Sequence, residues 1–245
     1  MKFQELKEEF SVQFLVLVIV IGLASGLLTY AISFAERICH YIFTLSGWAT
    51  YVYIPAMFVI TVYLLKKYFP YADGSGLPQG YAVDVFDEYR LNKTYSLRSA
   101  IGKAILTFMS IAGGASLGKE GPTIQICSSL FAQMRNISVV KQRLLIKLGA
   151  GVGVAAAFNA PIGGMVFAIE EYVKRISPKI ATILVGATLG AVFISNLLTG
   201  NQPYMGQVNP EQLRHSWYHI PFAILIGSLC GLSGALFTKA IVFMT

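Results

Sequence analysis

Four stretches of this chain, residues 11–35, 38–65, 180–200 and 218–245, each run for more than 20 residues with at most one Asp, Glu, Lys or Arg. A helix needs about 20 apolar residues to cross the hydrocarbon core of a bilayer. A soluble core cannot absorb that much apolar sequence, because the polar surface left over is too small to cover it: 55% of the residues are hydrophobic and 13% charged, against roughly 25% charged in an ordinary soluble domain. The mean hydropathy is +0.62. The excess of nineteen Lys+Arg over twelve Asp+Glu, a net +7, sits in short patches between the apolar runs, which excludes a disordered chain and a nucleic-acid binder with a basic face. The sequence reads as an all-α integral membrane protein whose first partner is the lipid bilayer.

Residues 1–10 mix Lys2, Lys7, Glu5, Glu8 and Glu9 and read as an amphipathic cytoplasmic lead-in to a first span rather than as a removed signal peptide. Lys66 and Lys67 close the second apolar stretch, and the excess of positive charge inside places them, and the N-terminus, in the cytoplasm. Cys39, Cys127 and Cys230 are odd in number and lie in apolar settings, so they are expected to be buried free thiols.

Between residues 74 and 176 the pattern changes. The apolar runs 77–85, 101–117, 122–134, 144–158 and 161–169 are broken by Gly, Pro and charge. Short interrupted segments of this kind mark broken helices whose ends meet a substrate inside the membrane. GSGLP (Gly74, Ser75, Gly76, Leu77, Pro78) opens one of them. Its glycines permit a tight turn and Pro78 suits a first helical turn, so it reads as an anion-binding helix N-terminus or as a plain turn and cap. GKEGP (Gly118, Lys119, Glu120, Gly121, Pro122) repeats the design. A carboxylate at Glu120 would compete with a bound anion when ionised and release the site when protonated; the bland alternative is a Lys119–Glu120 pair at the membrane interface. NAPIGG, 159–164, opens the last broken segment, which closes on Glu170 and Glu171. These adjacent carboxylates read as a proton relay or as a solvated helix end with Lys174 and Arg175 as counter-charges.

Other motifs lead nowhere. GGASLGK, 113–119, resembles a P-loop, but Glu120 stands where Ser or Thr should bind magnesium. GVGVAA, 151–156, lacks a preceding strand, and the small residues of 149–157 fit close helix packing instead. His215 and His219 have a metal-ligand spacing with only Glu211 near to help, and Trp217 with Tyr218 marks an interfacial belt. GLSG, 231–234, resembles an intramembrane protease motif without a later histidine base. GNQPYMGQVNP, 200–210, is a turn-rich loop.

Taken together and in this order, GSGLP, GKEGP and NAPIGGMVFAIEE resemble the CLC family of chloride channels and chloride/proton antiporters, from about residue 12 to the end of the chain. The resemblance implies a CLC-like bundle of tilted and broken helices. It implies that the chain is the first of two inverted repeats with the next helix added: a lead-in over 1–10, the N-terminal half of the transmembrane domain over 11–217, and the first helix of the second half over 218–245. By the same resemblance Ser75 gives its hydroxyl to the central anion site, flanked by Gly74, Gly76 and Pro78. Glu120 is the gating glutamate, framed by Gly118, Lys119, Gly121 and Pro122. Glu171 is the inner proton-transfer glutamate, with Glu170 assisting. The implied activity is chloride/proton antiport in the cell membrane, without metal or organic cofactor and not as an enzyme. The implied partners are chloride, protons, and either a second copy in a homodimer or a separately encoded second half. A passive chloride channel and a non-transporting membrane fragment are the alternatives.

Overall fold

A computed structural model describes residues 12–45, 47–136, 140–173, 177–200, 217 and 219–244. The lead-in over 1–10, Lys174, Arg175, Glu211, His215 and the loop after Gly200 lie outside the described residues. Every regular element among the described residues is helical, as a chain that must satisfy its backbone inside lipid requires. The chain divides into two compact units, residues 1–201 and 202–245.

In the first unit, α1 (Val12–Leu45) and α2 (Gly47–Tyr68) are long apolar helices. The break expected between residues 35 and 38 is absent. Glu36 and Arg37 are exposed on α1, which continues through them; both are good helix formers, and a charge that faces outward need not end a helix. Then come α3 (Leu77–Tyr81), a 3₁₀ turn (Ala82–Asp84), α4 (Glu88–Thr94), α5 (Leu97–Ala112) and α6 (Glu120–Ala132). A second 3₁₀ turn (Gln133–Asn136) leads to α7 (Gln142–Phe158), α8 (Pro161–Phe167), a π-helical turn (Ala168–Val173) and α9 (Pro178–Thr199). Four helices are long and apolar enough to cross a membrane: α1, α2, α9 and, in the second unit, α10 (His219–Met244). The protein is therefore multi-pass.

The centre of the first unit is the pair α6 and α7. A Cβ on Gly149 would stand 2.7 Å from the Ser128 Cα, and one on Gly153 would stand 2.7 Å from the Ile124 Cα. The small residues of α7 thus let its backbone rest on that of α6, as the sequence predicts. Phe14, Val18 and Ile21 of α1, Cys127 and Phe131 of α6, Leu148 and Val152 of α7, and Leu184 and Ala187 of α9 form one buried cluster around this pair. Arg143 of α7 donates to the carbonyls of Val83 and Phe86 (2.7 Å to Phe86), and Lys147 pairs with Asp84 at 2.6 Å. These contacts tie the segment after α3 to the central helices. Asn159 ends α7 in a left-handed conformation (φ 54°), and its side chain accepts a hydrogen bond from Asn196 at 2.7 Å, so α8 starts from a fixed corner.

The cysteines are free, but only Cys127 is buried; Cys39 is half-buried and Cys230 exposed. The expectation of three buried thiols is corrected by position. Cys230 belongs to α10, and among the described residues of its unit no second layer covers it.

Candidate functional site

The two Gly-Pro loops meet backbone to backbone. Gly76 is buried with φ +96°; a Cβ there would strike the carbonyl oxygen of Gly121, and one on Gly121 would strike the carbonyl oxygen of Ser75. Only glycine at both positions lets GSGLP lie against GKEGP. Gly121→Ala is accordingly expected to force the loops apart. An overpacked site of this kind loses about 1–3 kcal/mol, readable as a lower thermal midpoint of the purified chain in detergent.

The first loop is braced from within. Gln79 accepts from the Gly76 N–H at 2.9 Å through Oε1 and donates to the Asp73 carbonyl at 3.0 Å through Nε2. The Gly76 N–H is therefore committed to the loop itself. The helix expected over 77–85 is only the five-residue α3, followed by the 3₁₀ turn. Gly80 has poor helix propensity, and the chain tightens there against the ring of Tyr172, 2.9 Å from where a Gly80 Cβ would stand. So short a helix has a weak dipole, and α6, with 13 residues, is the stronger of the two helical N-termini. Glu120 is its first residue. The side chain is half-buried and folds back over Gly118, where a Cβ would collide with its carboxylate. Thr123 donates to the Lys119 carbonyl at 2.7 Å and fixes the turn.

A cavity of about 380 Å³ joins the two loops. Gly74, Ser75, Gly118, Glu120, Gly121 and Pro122 line it; Gly76, Pro78 and the half-buried Lys119 belong to the same loops without lining it. The Ser75 side chain is exposed and makes no hydrogen bond among the described residues. Lys103 also lines the cavity. It is 4% exposed, and its ammonium donates to the carbonyls of Asp73 (3.0 Å) and Gly74 (2.6 Å). Lys103 belongs to none of the three motifs, although a lone lysine within the apolar run 101–117 is the kind of membrane-depth charge that marks a site.

Glu170 and Glu171 are not in this cavity. They lie in the π-helical turn, and both are exposed. Within this chain neither carboxylate is buried: Ala168 and Tyr172, four apart, take the buried face of the turn and leave the glutamates outside. Such single π turns recur at functional positions. The Tyr81 hydroxyl lies beside the Glu171 carboxylate, and the Tyr81 and Tyr172 rings are 5.2 Å apart. Among the described residues no group of three or more His, Cys, Asp or Glu is placed to hold a metal ion.

A family profile described as voltage gated chloride channel matches residues 57–245. The chain belongs to that family, the CLC proteins. A probable chloride channel protein of Mycosarcoma maydis is 32% identical over 190 residues, covering 74% of this chain and 16% of its own length. The human H(+)/Cl(−) exchange transporter 3 is 29% identical over 196 residues, covering 74% of this chain and 23% of its own. Among solved structures, a slow cyanobacterial Cl⁻/H⁺ antiporter matches with a TM-score of 0.61 at 24% identity, over 90% of this chain and 55% of that one. A CLC-type fluoride/proton antiporter gives 0.59 at 18% identity, over 78% and 46%. These likenesses establish a CLC fold. The chain spans about half of the structures it matches and under a quarter of these two curated CLC relatives.

Proposed function

We propose that this CLC chain forms one half of an anion pathway that exchanges chloride for protons across the cell membrane. The reading is carried by the cavity in which the Ser75 loop, the Glu120 end of α6 and the buried Lys103 meet. A halide has no shape to grip, so it must be held by hydroxyl and N–H donors and by fixed positive potential. Ser75 supplies a hydroxyl, and α6 supplies a helix N-terminus. Lys103 is held back by two carbonyls, which keeps its full charge from clamping the ion. The cavity wall carries Lys103 against Asp73 and Glu120: net negative with Glu120 ionised, neutral with it protonated. Protonation of Glu120 therefore removes a charge that opposes the anion, which is the elementary step of coupled exchange. Similarity to an H(+)/Cl(−) exchange transporter and to two proton-coupled antiporters supports the proton arm. Glu171, beside Tyr81, is assigned proton delivery from the inside, with Glu170 assisting. The second half of the pathway is supplied by further chain or a second polypeptide, and a homodimer is the expected assembly.

The test is proton counterflow in liposomes that hold the complete protein containing this half. Under an imposed chloride gradient, uptake of protons against chloride is expected; anion movement without it replaces the antiporter by a passive channel. Glu171→Gln keeps shape and hydrogen bonding but cannot ionise. It is expected to cut proton movement while anion movement stays measurable, with Glu170→Gln milder. Full proton coupling in Glu171→Gln would remove Glu171 from the pathway.

A further inference from the structure

The polar atoms Tyr95 Oη, Gln125 Oε1, Ser128 Oγ and Tyr172 Oη are buried without a hydrogen-bond partner among the described residues. The four residues are at most 2% exposed. Native proteins rarely leave buried polar atoms unpaired, and each such atom asks for a partner. These atoms belong to one region. Tyr172 packs on Ile124, Ala150 and Val154, and Tyr95 packs on Ala132 and Ile146. Ile124, Ser128 and Ala132 follow one another at four-residue steps on α6, as Ile146, Ala150 and Val154 do on α7, so Ser128 stands on α6 between the residues against which the two tyrosines pack. The amide of Gln125 donates to the Thr94 carbonyl at 3.4 Å, next to Tyr95.

We infer that Tyr95, Gln125, Ser128 and Tyr172 enclose a buried hydration site, one or two water molecules held between α6, α7 and the Ser75 loop, and that this site braces the loop. The chemistry selects water. The set is three hydroxyls and one amide oxygen; the Glu171 carboxylate, which acts on Tyr172 electrostatically, is exposed and stands outside it. The atoms are sealed from solvent, and a buried water typically makes about three hydrogen bonds, which three hydroxyls and a carbonyl oxygen can supply. The bracing follows from contact. A Cβ on Gly76 would stand 3.2 Å from the Cβ of Gln125, and one on Gly80 would stand 3.0 Å from the Tyr172 hydroxyl. Two of the four water-holding residues are thus pressed against the segment that carries Ser75, and fixing them fixes the loop.

Removing one hydroxyl gives opposite signs in the two cases. If the phenol bonds a water, Tyr→Phe strips that water of a partner and destabilises the fold; if it is truly unpaired, Tyr→Phe removes a desolvated polar atom and leaves stability equal or higher. The thermal midpoint of the purified chain in detergent is expected to fall in both Tyr95→Phe and Tyr172→Phe, by about 2–4 °C. An unchanged or raised midpoint overturns the hydration site. Bracing is read separately, and rests on the anion-site reading above. In liposomes with the complete protein, Tyr172→Phe is expected to raise the half-saturating chloride concentration severalfold. Val152→Ala, in the cluster around α1 and α9, should lower the midpoint without that change. If half-saturation in Tyr172→Phe moves no more than in Val152→Ala, the bracing role falls. If the wild type carries no anion at all, the proposed function fails, while the midpoints still decide whether water is bound.

Discussion

Glu120→Gln is expected to stop anion-driven proton uptake while anion flux continues, in liposomes containing the complete protein. Glutamine has nearly the same shape as a protonated glutamate and carries no charge at any pH. It therefore holds the cavity wall permanently in the state where only Asp73 and Lys103 oppose each other. The change removes a carboxylate from the first turn of α6, where a negative charge stabilises a helix by about 0.3–1 kcal/mol. That cost is too small to unfold the chain, so a loss of coupling would report chemistry rather than damage. Proton uptake that survives the substitution undiminished would show that another group carries the proton and would reduce Glu120 to a helix-capping charge.

The parts of this arrangement that were legible in the sequence are those whose cause is local. Gly74, Gly76 and Pro78, then Gly121 and Pro122, announce turns followed by helices because glycine and proline act on their own backbone, and α3 and α6 start where those residues require. The small residues of 149–157 announced close packing, and Gly149 and Gly153 rest on α6. What escaped depends on partners distant in the chain. The Lys103 ammonium reaches carbonyls 29 and 30 residues earlier, and nothing in the run 101–117 says which backbone it will meet. The π-helical turn that carries Glu170 and Glu171 holds an extra residue that no helical periodicity foresees. Glu36 and Arg37 misled in the other direction: two charges inside an apolar run look like a boundary, but a long helix can carry them on an exposed face. The fold and the turn-and-helix design of each loop were thus open to sequence reasoning, whereas the meeting of the two loops and the electrostatics of the cavity needed the tertiary contacts.

Lys103→Met should produce the largest loss of stability of any single substitution considered for this chain. Methionine nearly fills the volume of the lysine stem, so packing within α5 is retained and the change isolates the ammonium. Two hydrogen bonds disappear, to the carbonyls of Asp73 and Gly74. Bonds from a charged donor are worth about 1.5–3 kcal/mol each, and α5 then presents a sulfur where those carbonyls found a donor. Against this stands the relief of no longer burying an ammonium, which offsets part of the sum. A net loss of about 3 kcal/mol is therefore expected, measured as a shift of the denaturation midpoint of the chain in detergent. The loop carrying Ser75 is also released, because Gln79 alone then holds the Asp73 carbonyl. In the complete protein the half-saturating anion concentration should rise for two reasons at once: the loop is looser, and the cavity loses its positive charge. Lys103→Arg separates them. It keeps the charge, but the planar, bulkier guanidinium cannot aim a compact ammonium at two carbonyls, so it should restore anion binding only in part and stability less. If Lys103→Met leaves both the midpoint and the half-saturation where they were, the ammonium neither anchors the loop nor sets the potential of the site, and the case for an anion cavity between the two loops falls back on Ser75 and α6 alone.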